Sequence, residues 1–358
     1  MLGAAFAPSF FWLTQFRALG LGVGVISRMN KLSTRQRTLA AATSFAGYGV
    51  HSAQPVTLTL SPGAADTGIT ICRQKGDGTI TAPVPVHFSR VTRTTLCTTL
   101  DLGDSVSVAT VEHVMSALSG MGVDNALITL DGGECPILDG SARPFAEAIL
   151  QVGLEIQPAQ RKFLKIIRAV TVRNNDAFAA LEPYNGRALD LEIDFDSKVI
   201  GRQRMIFDWT PRRYYEDVAS ARTFGFVRDA KILRQAGYAL GSSLDNSITV
   251  HEDRILNPGG LRYEDEFVRH KLLDAIGDLS LGGLPIWGRF RSYKGGHALN
   301  AHVLTGLFSS EANYEIVGAE DLPLEVEAFD DQPEGLAVNH YLRSVRSPGR
   351  GRRAAPQF

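Results

Sequence analysis

Apolar and polar residues alternate over residues 56–60 (Val-Thr-Leu-Thr-Leu), the period of a half-buried strand, and residues 69–72 and 126–130 read similarly. Over residues 111–118 the period changes. Apolar side chains fall at 111, 114, 115 and 118, one face of a helix. Thr110 is its expected N-cap, and Gly120 and Gly122 its end. Residues 144–152 read as a second helix and 153–162 as a linker. Beyond the linker, residues 165–172 and 189–195 are strand-like, with Pro183-Tyr-Asn-Gly186 as a turn between strands. Residues 214–220, 230–235, 264–281 and 297–307 are expected helices, the last following Gly295-Gly296. Strands and helices are interspersed without a regular βαβ rhythm. The expected fold class is therefore α+β in two similar-sized domains, residues 36–155 and 162–320, rather than a doubly wound sheet.

Composition narrows the picture. Of 358 residues, 44% are hydrophobic and 21% charged, which excludes a chain that is disordered throughout. The net charge of −1 argues against a dedicated nucleic-acid binder. Cys72, Cys97 and Cys135 are too few and too scattered for a disulfide framework, which fits a reducing, cytoplasmic compartment.

Both ends differ from the middle. The first acidic residue is Asp66, preceded by Arg17, Arg28, Lys31, Arg35 and Arg37. Residues 1–35 are expected to be an extension, dispensable or begun upstream of a start at Met29. A transit peptide or a membrane-surface helix are the other readings. At the far end, residues 331–358 hold Arg343, Arg346, Arg350, Arg352 and Arg353 among Ser, Pro and Gly, and are expected to be a solvated, disordered tail. Weak attraction of those arginines to anionic lipid headgroups is the alternative.

The informative element surrounds residue 270. Phe267, Leu272, Leu273, Ile276 and Leu279 supply a core face, while His270, Asp274 and Asp278 form one line at i, i+4 and i+8. A His and a carboxylate one turn apart can share a metal ion. The same line also suits a solvated stripe of helix-stabilising pairs. Glu112-His113 opens a helix. A base beside a metal ligand would look like this, and so would a favourable first turn. His297 follows two glycines at a helix start, where the dipole disfavours imidazolium and the turn lets the ring project into a cleft. Thr223 lies in an aromatic stretch that alone says little. Phosphate-loop, dinucleotide, nucleophile-elbow and H-E-x-x-H motifs are absent from the sequence.

Taken together, these segments resemble the UDP-3-O-acyl-N-acetylglucosamine deacetylase family, the zinc amidases of bacterial lipid A synthesis. The blocks that carry the resemblance start with Gly47-Tyr-Gly-Val-His51, Thr110-Val-Glu-His113 and Pro136-Ile-Leu-Asp-Gly-Ser141. Pro183-Tyr-Asn-Gly186 and Ala221-Arg-Thr-Phe-Gly-Phe226 follow. Leu261-Arg-Tyr-Glu-Asp-Glu-Phe-Val-Arg-His-Lys271, Asp274-Ala-Ile-Gly-Asp278 and Gly296-His-Ala-Leu-Asn300 complete the set. The resemblance runs from about residue 37 to about residue 318.

The resemblance implies two α/β-sandwich domains with the active site between them. It implies a zinc site of His113, His270 and Asp274 with one open position; iron(II) would accept the same ligands. Glu112 is the implied general base and His297 the cationic partner. Asp278 would orient His297, and the Thr223 hydroxyl would serve the tetrahedral oxyanion. Lys271 is the implied sugar or diphosphate contact, Phe224 the hexose contact, and His51 and Phe195 belong to the nucleotide end. Residues 225–250 correspond to an insert forming an apolar acyl passage, with Val227 and Ala239 among its residues. Ala177 stands where some relatives carry a nucleotide-contacting Lys. The implied substrate is amphipathic, with no nucleic acid, transient contact with the inner membrane surface, and a monomeric enzyme. The rival readings are a zinc amidase acting on another acetylated sugar conjugate and a catalytically silent nucleotide-sugar or lipid-binding homologue.

Overall fold

The computed structural model describes residues 33–323 apart from Asp77. The expectations for residues 1–32 and 331–358 lie outside the described residues.

Among the described residues strand alternation produces two large sheets, each with one face on the core, and three smaller ones. Pro55–Pro62 buries Val56, Leu58 and Leu60 on one face. It pairs antiparallel with Thr43–Tyr48 and with Ala126–Leu130, and the latter runs parallel to Ile69–Arg73. Val84–Pro85 completes this five-stranded mixed sheet. The second half is organised on Ile286–Tyr293 in a seven-stranded sheet. That strand is antiparallel to Ala177–Glu182 and parallel to both Arg187–Asp194 and Lys162–Ile166. The turn at Pro183-Tyr-Asn-Gly186 therefore closes no hairpin, because Ile286–Tyr293 enters between the two strands it joins.

Among the described residues, five helices of more than two turns run alongside: α1 (Glu112–Met121), α2 (Arg143–Val152), α3 (Val227–Gln235), α4 (Glu266–Ser280) and α5 (His297–Phe308). α1 packs on α2 and α4. α4 packs in turn on Arg187–Asp194, Arg202–Asp208 and α5. One continuous hydrophobic core joins the two halves. The fold class is α+β.

Four local expectations change. Residues 153–162 are not a linker: Leu154–Gln160 is a strand, antiparallel to Arg35–Leu39 with Leu39 opposite Leu154. Its burial runs against its polarity, with Ile156 exposed and Gln157 buried, Pro158 interrupts it, and its partner is more than a hundred residues away. Thr110 is not an N-cap. Its φ is +59°, its hydroxyl donates to Glu134 Oε1 at 3.1 Å, and Val111 precedes the helix without a side-chain cap. Residues 165–172 divide into Lys162–Ile166 and Val170–Asn174. Residues 214–220 are helical only over Tyr214–Val218 and at a wider pitch, Ala219 N–H donating to the Tyr214 carbonyl five residues back at 2.8 Å, after one helical turn capped by Thr210.

Two helical glycines have steric reasons. A Cβ on Gly120 would lie 2.3 Å from the Tyr214 ring, and one on Gly277 would lie 2.0 Å from the Glu112 carbonyl oxygen. Gly277 is therefore where α1 and α4 touch. Gly277→Ala should destabilise the protein by about 1–3 kcal/mol through overpacking and displace the first turn of α1. Thermal unfolding and turnover of the variant check this; an unchanged melting temperature would contradict it.

Candidate metal centre and active site

The two central helices carry the candidate ligands on their contacting faces. α1 offers His113 from its first turn and α4 offers His270 and Asp274, one turn apart. One ligand atom from each of the three lies within 4.8 Å of the others, and all three residues are buried. Asp274 Oδ1 stands 3.4 Å from His270 Nε2 and 3.6 Å from His113 Nε2. The two imidazoles meet edge to face, centroids 5.1 Å apart. On the other oxygen of Asp274, Lys271 Nζ donates at 2.7 Å. Burial opposes charge on Asp274, yet the Lys271 ammonium that donates to it and the His297 ring hold its carboxyl well below the usual range. Burial also pushes His270 down to about 3, so its imidazole stays neutral. His270 Nδ1 faces the Ala221 carbonyl at 3.1 Å, which makes Nδ1 the protonated nitrogen and leaves the Nε2 lone pair toward Asp274. The Nδ1 of His113 is buried without a protein partner. A neutral imidazole with an oriented lone pair, a second imidazole and an ionised carboxylate are donors of the kind that hold a divalent metal ion. The residues present fit such an ion.

Beside this trio lie further buried titratable groups. Glu112, buried next to His113, has its carboxyl raised by burial despite the His297 and His113 rings nearby. Its Oε2 accepts from the Thr98 N–H at 3.0 Å, and its Oε1 lies 3.9 Å from His297 Nε2. His297 opens α5 after an extended Gly296. Its Nδ1 donates to Asp278 Oδ2 at 2.8 Å. Asn300, one turn along α5, donates to the same oxygen at 2.9 Å, and the Thr98 hydroxyl donates to Asp278 Oδ1 at 2.6 Å. Burial alone would lower the His297 pKa, but the Asp278 and Glu112 carboxylates more than offset it and hold the ring cationic up to about 9. The helix dipole does not decide its charge.

Thr223, half-buried, is fixed through its backbone: its N–H donates to the Gly140 carbonyl and its own carbonyl accepts from the Ile248 N–H. Phe224 packs on Phe267, with centroids 5.0 Å apart, and lies 6.2 Å from the His270 ring. Phe195 joins that cluster through Phe224 and Phe226. His51 belongs to another contact: its Nδ1 accepts from the Ala239 N–H at 3.3 Å and its ring meets Tyr238. Ala239 has a left-handed φ of +54°. Val227 opens α3 with Ile232 beyond it, and both are exposed, as are Leu240 and Leu244. The segment between Phe224–Phe226 and Ile248–His251 thus shows apolar side chains to solvent instead of burying them, while its flanking strands pair in parallel. Ala177 is half-buried at the far end of the strand paired to Tyr293.

Thr98, Asn300, Glu134 and the Ala221 carbonyl were not singled out from sequence. Asn300 had a signal, three residues after His297 on one helix. Glu134 accepts from the His51 and Ser52 N–H groups, both at 2.8 Å, and Thr98 reaches the site from a strand lead-in. Neither shows any periodicity that betrays this. All three cysteines are buried and free, and burial together with Glu112 raises the Cys97 thiol to about 11, so it stays protonated.

Comparison with known proteins accounts for this arrangement. The sequence model of LpxC, UDP-3-O-acyl N-acetylglycosamine deacetylase, matches residues 36–309. The chain belongs to the LpxC family. The UDP-3-O-acyl-N-acetylglucosamine deacetylase of Psychrobacter cryohalolentis is 46% identical over 293 residues, 81% of this chain and 91% of that protein. The enzymes of the same name from Brucella ovis and Brucella canis are 43% identical over 289 residues, 80% of this chain and 100% of theirs. The LpxC match covers both central helices and the whole of α5, so every side chain of the site lies within it.

In metal-free protein, His297 should titrate near 9, above its ordinary 6.5. A raised folded-state pKa stabilises the fold fully below about pH 6.5, and that contribution is lost as pH rises through about 9. Adding a divalent cation, or substituting Asp278→Asn, should move the titration down. An NMR titration of the imidazole checks this, and a midpoint at or below 6.5 in metal-free protein would contradict it.

Proposed function

We propose that this LpxC-family chain hydrolyses the N-acetyl group of UDP-3-O-(3-hydroxyacyl)-N-acetylglucosamine, releasing acetate and the free 2-amino sugar nucleotide, with zinc held by His113, His270 and Asp274. The observation that carries the reading is the junction of two groups: a buried His–His–Asp donor set and, beside it, Glu112 facing a cationic His297. Iron(II) would suit the same donors.

The metal, when bound, polarises the acetamide carbonyl and acidifies the attacking water. Everything else falls to the chain's own residues. Glu112, whose proton affinity is raised by burial, accepts the proton as water adds. The Thr223 hydroxyl is a donor for the developing oxyanion. An amine leaves badly unless protonated, and His297, held cationic by Asp278, delivers that proton at neutral pH. Lys271, beside a ligand, is the charge for the sugar or diphosphate. Phe224 is the apolar surface for the hexose, and Phe195 and His51 serve the nucleotide end. The exposed apolar residues near Val227 and Ala239 provide the acyl passage, where each buried methylene contributes ~0.8 kcal/mol. The division into domains 36–155 and 162–320 has the chemistry at their junction. Among the described residues no helix is long and apolar enough to cross a membrane. We read the enzyme as a cytoplasmic monomer that touches the inner membrane surface to reach its amphipathic substrate.

Acetate release from that substrate should be lost on chelator treatment and restored by about one equivalent of zinc. Glu112→Gln should lower kcat by about 10²–10⁴-fold while zinc content stays at one per chain. Zinc-replete protein that releases no acetate would overturn the substrate assignment. Failure of His113→Ala or His270→Ala to reduce zinc binding would overturn the site.

A further inference from the structure

Thr98 is fully buried and comes from the N-terminal half, in the stretch entering the strand Thr99–Gly103. It reaches the proton-handling groups through two different atoms. Its N–H donates to Glu112 Oε2, and its hydroxyl donates to Asp278 Oδ1. These carboxylates are the two that flank His297, at Nε2 and Nδ1. We propose that Thr98 is a positioning residue for the deacetylation: it holds the outer oxygen of each carboxylate, so that the inner oxygen of each is turned to His297. The proposal rests on the reading of Glu112 and His297 as the proton-transfer pair.

The hydrogen-bond inventory supports it. Asp278 takes three donors on two oxygens, with His297 and Asn300 on Oδ2 and Thr98 alone on Oδ1. Without the hydroxyl, Oδ1 would be a buried carboxylate oxygen with no partner, which is costly. Rotation of the carboxylate to share the remaining donors would then relieve it, and the imidazole would turn with it. The bond spans 180 residues and joins the two halves, so it is not a local turn contact of the kind that threonines commonly make. Glu112 is held by the backbone of the same residue, so one short segment fixes both carboxylates relative to each other.

Thr98→Val keeps the shape and the N–H and removes the hydroxyl; Thr98→Ser keeps the hydroxyl. In zinc-loaded full-length protein, the Val variant should lower kcat by about 10–100-fold, the usual cost of losing a partner that orients a reacting group. KM should stay within about twofold, and the Ser variant should recover most of the rate. In an Asp278→Asn background the Val substitution should add little, because the hydroxyl acts only through that carboxylate. A readout independent of turnover is the exchangeable His297 Nδ1 proton in NMR. It should shift in the Val variant and stay in place in the Ser variant. Equal losses in the Val and Ser variants, additive losses with Asp278→Asn, or an unmoved proton in the Val variant would each overturn the proposal. If Thr98→Val does not fold, Thr98→Ala makes the same comparison with Ser. Wild-type protein inactive on the substrate would sink the functional reading instead, and the NMR comparison would then decide the positioning claim alone.

Discussion

The contact between α1 and α4 at Gly277 is the constraint on which the rest depends. A glycine inside a helix costs about 1 kcal/mol relative to alanine. Here its missing side chain lets the Glu112 carbonyl lie where any Cβ would collide. That closeness brings His113 from one half of the chain up to His270 and Asp274 from the other. It also sets Glu112 beside the helix that carries Asp278. A wider helix pair would separate the imidazoles, and no rotamer change could restore a three-donor site.

Around that contact, each carboxylate has a separate task, fixed by its donors. Glu266, fully buried at the start of α4, accepts from the N–H and guanidinium of Arg222. This ties the 221–224 loop to α4, and the Ala221 carbonyl in that loop sets the His270 tautomer. Asp274 divides its oxygens between the imidazoles and Lys271, while Asp278 is turned toward His297. Neutralising any one of them would leave a buried cation or an oriented ring without support, which is expensive in a dry interior.

Much of this was legible in the sequence where chemistry and periodicity coincide. α4 and α5 lie where the pattern put them, and the His270–Asp274–Asp278 line is a line because a helix makes it one. The illegible parts depend on partners distant in the chain. Leu154–Gln160 reads as a linker until Arg35–Leu39 is set beside it. Thr110 looks like a cap until Glu134 claims its hydroxyl. Thr98 is an ordinary residue before a strand, and only the packing of the two halves gives it two carboxylates to hold. The wider-pitched helical segment at Tyr214–Val218 carries apolar residues at helical spacing, and the ring of Tyr214 seated on Gly120 is the contact that spacing could not reveal.

His297 shows how magnitude decides between two sound sequence arguments. Its position at the start of α5 disfavours imidazolium, but a helix terminus is worth only about 0.3–1 kcal/mol. The rise from 6.5 to about 9 corresponds to about 3 kcal/mol in the opposite direction, with burial already counted against it. The charge of His297 is therefore set by Asp278 on α4 and Glu112 on α1, not by the helix on which it sits. What α5 contributes is geometry: the Gly295-Gly296 turn delivers the ring, and Asn300 steadies the carboxylate that charges it. The cationic imidazole is thus assembled from three helices, with the larger share of its stabilisation coming from Asp278 in its own half of the chain and a smaller one from Glu112 in the other.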